Sequence, residues 1–399
     1  MLNDEYGTSK GGVSTIHRQM TRQLVIKGAK VYSTVLHATQ KDKDDAAADG
    51  VRLIFPETED DDTTPNLEWL TRHHLTYYPK LPSDVDFIVG HVNVTSRAAR
   101  MIKNKRLRRA DLVQVTHVIP EDTSHYKSQE KVLRIGKEHD SILEDLKDAM
   151  VVFSVGPLIH DYYTHETRQI KQLKRHLFLP KPSDIFIEAN FEPPDDSNTI
   201  YGTVLSVGRV KGMVRQKGYD LVALAMGDVI KDKDLPQTKC RLCGINKEDF
   251  EETQEIINAN KGRFEFVPFT PLEYCTQEKV CEEMGRADVV LMVSRAEPFG
   301  LVGLEAIAAG VPTIISSKSG LARFLVGQHD IELDSDFKRP IVEISGNDQE
   351  DAATLARRIG QILKNRTKEF MAAKRLKQKL LDSKYWEKSY KNFLQEFGL

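Results

Sequence analysis

Two glutamates eight residues apart, Glu297 and Glu305, carry the clearest chemical signal in this chain. They lie within Ser294–Gly320, SRAEPFGLVGLEAIAAGVPTIISSKSG, with Phe299, Gly300 and Leu301 between them. Glu297 in the turn and Glu305 further into the expected helix would flank an anion site. A helix beginning near Phe299 would add N–H donors and the positive end of its dipole, a place for an anion. Other residues extend this chemistry. Arg209 offers a fixed fork of donors and Lys217 a point charge, both suited to phosphate oxygens, with Lys211 and Arg215 as substitutes. His91 and His117 each close an apolar run, and Gly11–Gly12 would let backbone approach a ligand closely.

The surrounding pattern supplies elements to position these groups. Asp288–Val293 (DVVLMV) and Val311–Ser316 read as buried parallel strands, with a helix expected over Phe299–Ala309 and Pro298 at its start. Ligands bind outside the carboxyl edge of such open α/β sheets. Near the start, the loop Asn3–Gly12 leads into an amphipathic helix from Val13, with Ile16, Met20 and Leu24 on one face, and then into the strand Val31–Leu36. This is half of a βαβ phosphate-binding unit, and the strand that should precede the loop is absent.

Further strands are expected at Val51–Phe55, Phe87–Gly90, Leu112–Thr116 and Val151–Val155, alternating with helices that include Leu67–Tyr78, Ser96–Ile102 and Tyr126–Met150. Phe186–Ser197, rich in proline and acid, reads as a linker. A second α/β series follows: strands at Val204–Val207, Cys240–Cys243, Phe264–Val267 and Ile341–Ile344, helices at Lys217–Val229, Lys247–Asn260, Val280–Gly285, Asp348–Lys364 and Lys368–Leu381. The aromatic stretch Tyr385–Phe397 has one apolar face that must pack on something. The fold class expected is α/β, two Rossmann-like domains in tandem.

At 399 residues the chain can bury two or three cores, and 40% apolar with 29% charged residues is ordinary for a soluble globular protein. A net charge of −2 argues for neither nucleic acid nor an acidic membrane. No apolar run approaches the roughly 20 residues that span a bilayer. Four cysteines and no visible export signal suggest a cytosol-like compartment. Zinc is not expected: Cys240 and Cys243 fall in a strand, three apart, and Cys275 and Cys281 do not complete a ligand spacing. The basic run Lys103–Arg109 lacks interleaved aromatics, and no G-x-S-x-G nucleophile motif occurs.

SRAEPFGLVGLEAIAAGVP resembles the nucleotide-sugar motif of retaining glycosyltransferases of the GT-B fold, glycosyltransferase family 4. The GG loop, the strand ending in His117, the VGR of Val207–Arg209, Lys217–Gly218 and the aromatic C-terminal helix follow in that family's order. The resemblance covers nearly the whole chain and is weakest over 40–80. It implies two domains facing across a cleft: residues 1–192 on the acceptor side, joined by a helix over 383–399 that crosses back, and 198–380 on the donor side. It implies transfer of a sugar from a UDP- or GDP-sugar, with retention, to an acceptor that the sequence leaves open. Metal and cofactor are not expected. Glu305 would accept from the ribose hydroxyls, Glu297 would contact the transferred sugar, and Arg209, Lys217 and the backbone over Phe299–Leu301 would hold the pyrophosphate. His117 would face the sugar, Gly11–Gly12 would approach phosphate and sugar, and His91 would sit on the acceptor side. Arg209, Lys217, Glu297 and His117 are thus the expected catalytic set. Peripheral membrane contact is left open, as is oligomeric state. The absent first strand motivates an alternative, a nucleotide-sugar-binding sensor module without turnover.

Overall fold

The computed structural model describes residues 1–7, 11–58, 64–124, 126, 134–193, 201–208, 213–260, 268–273, 276–327 and 334–399. Arg209, Lys211, Cys275 and the strand expected at 264–267 lie outside the described residues, as do parts of the first loop and of the acidic block after Glu57. The chain folds as two compact units. One holds the N-terminal half through Lys181 together with Tyr385–Leu399, and the other holds Pro182–Lys384.

In the first unit, β3 (Phe87–His91), β4 (Asp111–Thr116), β5 (Val151–Val155) and β6 (Lys174–Phe178) form a parallel sheet in that order. β1 (Tyr32–Thr34) and β2 (Arg52–Ile54) pair in parallel as a separate ribbon. Residues 1–3 run between the two. The Met1 amino group donates to Tyr32 O at 2.7 Å, Thr34 N donates to Met1 O at 3.2 Å, and Leu2 N donates to Val89 O at 2.8 Å. No strand is assigned to these residues, yet their hydrogen bonds occupy the position that the half βαβ unit leaves open.

The aromatic C-terminal helix Tyr385–Gln395 belongs to this first unit. Trp386 Nε1 donates to Pro180 O at 2.8 Å, and the ring of Phe393 lies 5.2 Å from Phe153 and 5.6 Å from Phe178. β6, which the hydrophobic pattern does not announce, is mostly polar and half-exposed, an edge strand covered by this helix. The helix expected over 67–78 is two short ones, Leu67–Thr71 and His74–Tyr77; the break lets Tyr77 stack on Trp69 with ring centroids 3.8 Å apart.

In the second unit, six parallel strands run in the order β12 (Ile341–Val342), β11 (Thr313–Ser316), β10 (Val289–Met292), β7 (Tyr201–Val207), β8 (Gln237–Cys243), β9 (Phe269–Leu272). Both faces are covered. Val204, Leu242, Val289 and Leu291 pack with Leu355 and Ile359 in one core cluster, while Leu205, Val290, Met284 and Ala306 belong to another. Such two-sided burial is why these strands read as continuous apolar runs. The stretch expected as linker begins with a helix, Asp184–Glu188, whose Phe186 is fully buried. The strand order reverses at β7 and β10, so the connections leaving their carboxyl ends diverge, which is where a doubly wound sheet opens a crevice for a ligand.

Candidate active site

The loop after β10 enters the helix Leu301–Ala308, two residues later than Pro298–Phe299 suggested. Gly300 decides that start. Its φ of 112° excludes helical backbone, and a Cβ there would lie 2.5 Å from Met292 Cε. A glycine cap has no side chain to satisfy the first N–H groups of the helix, so they remain available to an anion. The turn is braced from behind: Gly320 N donates to Glu297 O at 3.0 Å, and Leu321 N donates to Phe299 O. Phe299 itself is buried and Leu301 half-buried.

Lys217 ends the short helix Val214–Lys217, and its ammonium donates to Glu297 Oε2 at 2.6 Å. Ser294 Oγ donates to the same oxygen at 3.0 Å. The pair is largely shielded, with 25% of the Lys217 side chain and 13% of that of Glu297 exposed, so its charges interact more strongly than a surface pair. Gly218, at φ 75°, separates this helix from Tyr219–Lys231, and a Cβ on it would lie 2.4 Å from Val293 O. The close approach between the two loops therefore requires glycine. The single helix expected over 217–229 is divided for this reason.

Arg295 fixes the same juncture, and the sequence pattern does not single it out. Buried, it donates from Nη1 to Asp220 Oδ1 and Arg215 O, both at 2.7 Å, and from Nη2 to Asp220 Oδ2 at 3.0 Å and Asp348 Oδ1 at 2.7 Å. Arg295 N also donates to Gln216 O at 2.8 Å. These bonds clamp residues 215–217 against 294–296 and hold Lys217 at Glu297. Arg215 is committed to Asp220 and Asp348. It therefore serves this clamp, and as a phosphate donor it would first have to leave two carboxylates.

Glu305, one turn into the helix, is half-buried, and Gln277 Nε2 donates to its Oε1 at 3.2 Å. Ser183 Oγ donates to Gln277 Oε1 at 2.8 Å, which fixes the amide so that its NH2 faces the carboxyl. Burial pushes the Glu305 carboxyl up to about 8, against the lowering effect of the Gln277 hydrogen bond.

In the first unit, Gly11 (φ 133°) caps the helix Gly12–Ile26. His17 on that helix, His91 at the end of β3 and His117 after β4 form one hydrogen-bonded file. His17 Nε2 meets Ser33 Oγ at 2.7 Å, His17 Nδ1 meets His91 Nε2 at 2.9 Å, and His91 Nδ1 meets His117 Nε2 at 2.8 Å. His17 and His91 are fully buried and His117 half-buried. Desolvation lowers all three, His17 and His117 to about 3, so the file is neutral at pH 7. His91, expected on the acceptor side, has both ring nitrogens taken by other histidines. Its contact with any substrate runs through His117. His17 was legible in part: it shares the buried face of Ile16 and Met20, where a histidine needs polar partners.

The comparisons with known proteins bear on family and fold. A model of family 4 glycosyltransferases in conflict systems matches residues 1–393. The chain belongs to that family. Among solved structures, this glycosyltransferase shares its fold with a sucrose-phosphate synthase from Thermosynechococcus elongatus (TM-score 0.68, 20% identity, 99% of this chain and 94% of that one). It is similarly related to WaaG, a glycosyltransferase involved in lipopolysaccharide biosynthesis (TM-score 0.62, 14% identity, 98% and 97% covered). Among curated proteins, a mannosylfructose-phosphate synthase of Agrobacterium fabrum is 31% identical over 140 residues, 33% of this chain and 29% of that protein. An uncharacterised glycosyltransferase of Methanocaldococcus jannaschii is 31% identical over 128 residues, 32% and 30%. These matches thus span under a third of the curated relatives' length. No helix among the described residues is long and apolar enough to cross a membrane.

Proposed function

We propose that this family member moves a sugar from a UDP- or GDP-sugar to an acceptor hydroxyl with retention of anomeric configuration. The observation that carries the reading is the Lys217–Glu297 pair beside a glycine-capped helix start, with Glu305 on the same helix, at the strand-order switch of the second unit. Leaving-group departure from a nucleoside diphosphate builds negative charge on the β-phosphate. The first N–H groups of Leu301–Ala308 are preorganised donors for it, Lys217 can turn to it from Glu297, and the family resemblance adds Arg209 as a further donor. This charge is met by protein donors, and no metal or cofactor is assigned.

Glu305 would accept from the ribose hydroxyls and Glu297 from hydroxyls of the transferred sugar. Free Lys217 and Glu297 neutralise each other, so the pyrophosphate must draw the ammonium away, or share it, when the donor binds. The family resemblance further assigns His117 to the sugar and the Gly11–Gly12 helix start to phosphate and sugar. The structure of trehalose-6-phosphate from E. coli bound with UDP-2-fluoro glucose shares the fold at TM-score 0.63, and its nucleotide sugar supports the choice of donor class. The test is incubation with UDP- and GDP-sugars and candidate acceptors, with proton NMR of the anomeric signal. Product carrying the donor's anomeric configuration supports the reading; inverted product, or no release of nucleotide from any sugar donor, contradicts it.

A further inference from the structure

The histidine file has a polarity, and that polarity can be read from its buried end. Ser33 Oγ has one proton. It lies 3.3 Å from Thr34 O, which can only accept, and 2.7 Å from His17 Nε2. Both contacts are hydrogen bonds only if the serine donates to the carbonyl and His17 Nε2–H donates to the serine. A neutral imidazole that donates from one nitrogen accepts at the other. His17 Nδ1 therefore accepts from His91 Nε2–H, and His91 Nδ1 accepts from His117 Nε2–H. The outer nitrogen of the file, His117 Nδ1, is left with a lone pair.

We propose that Ser33 and His17 are positioning residues that set the tautomer of His117, so that it presents a hydrogen-bond acceptor to a hydroxyl of the transferred sugar. The inference rests on the assignment of His117 to the sugar made above. The rest of the packing holds the file in register. Tyr6 packs edge-on to His17 with centroids 6.0 Å apart, and His91 N donates to Thr95 Oγ1, which donates to Leu2 O. Reversing the polarity would put a donor at His117 Nδ1, opposite the hydroxyl proton. It would also cost Ser33 its bond to Thr34 O.

Breaking the file at its buried end makes reversal favourable. In His17→Phe, His91 Nε2–H would be a buried donor without an acceptor, a state that folded proteins tolerate less than an unused lone pair. His91 then protonates at Nδ1 instead and donates to His117 Nε2, leaving His117 protonated at Nδ1. Ser33→Ala acts one link further back. In His17→Gln, the carbonyl can accept from His91 while the amide donates to Ser33, so the original polarity returns.

The experiment is 15N NMR of the full chain labelled at its 12 histidines, with His117→Gln used for assignment. Each variant is also assayed for turnover. The expected result is His117 as the Nε2–H tautomer in the wild type and His17→Gln, and the Nδ1–H tautomer appearing in His17→Phe and Ser33→Ala. The rate should fall about tenfold in the latter two, the worth of one hydrogen bond, and recover in His17→Gln. A His117 that stays Nε2–H in His17→Phe and in Ser33→Ala, each with a wild-type circular dichroism spectrum, overturns the proposal. A tautomer switch in a chain that turns over no sugar donor supports the file and counts against the transferase reading beneath it.

Discussion

At the scale of single residues, the unusual group is Glu305. Its carboxyl is pushed up to about 8 by burial, so it is mostly protonated at pH 7 in the free protein. In the proposed donor site ribose hydroxyls would donate to the Glu305 carboxylate, so nucleotide binding would expel that proton. The sign follows: affinity for the nucleoside diphosphate rises with pH and levels off above about 8, as only the ionised form is the better acceptor. Calorimetric titration between pH 6 and 9 checks this, and Glu305→Gln should flatten the profile. Lys217→Ala removes the partner of Glu297 and the proposed phosphate contact, and should weaken donor binding by about 2–3 kcal/mol, the range of a charge-assisted bond. Glu297 and Glu305 stand out in the sequence because they share one long motif, and Lys217 because it precedes a glycine; that Lys217 pairs with Glu297 is seen only in the folded chain. Arg295 and Gln277 do not stand out, since each acts by holding a neighbour that only the folded chain supplies.

At the scale of elements, the site depends on how two loops meet. Gly300→Ala adds a Cβ at φ 112° against Met292, and Gly218→Ala adds one at φ 75° against Val293 O. Each should cost about 1–3 kcal/mol of stability, measured by urea unfolding, and Gly218→Ala should also displace Lys217 and weaken donor binding. Arg295→Ala leaves Asp220 buried and without its main cation. A loss of about 3–5 kcal/mol is expected. The sequence pattern marked the central strands and the long helices here, Asp348–Lys364 to the residue, because both-face burial leaves unbroken apolar runs and clear caps; the half-buried edge strand Phe269–Leu272 was not expected. The pattern misplaced the helix start at 301 and the division at Gly218. Proline and glycine signals there compete with packing against β10, and such close approach has no local signature.

At the scale of the whole molecule, two parallel sheets do different work. The first unit keeps three neutral histidines in contact, all lowered from their ordinary value by desolvation. Unfolding exposes them, and between about pH 3 and 6.5 the unfolded chain binds protons that the folded one does not. Stability therefore rises with pH across that window, by up to about 1.4 kcal/mol per pH unit for each histidine. Denaturant midpoints taken from pH 4.5 to 7 should show the slope, and His17→Gln should reduce it. The loop–helix–strand order of the half βαβ unit was legible from the sequence pattern. That residues 1–3 bond to both β1 and β3 was not, because three residues are too few for any periodicity.

The proposed function places a nucleoside diphosphate sugar at the switch point of the second unit. The most direct measurement is calorimetric titration of UDP, GDP and their sugars into the wild type, Glu305→Ala and Lys217→Ala. One base is predicted to bind the wild type at micromolar strength and each variant at least about tenfold more weakly, 1.4 kcal/mol or more. Binding of equal strength to all three proteins, or no binding of any nucleotide, would contradict the account.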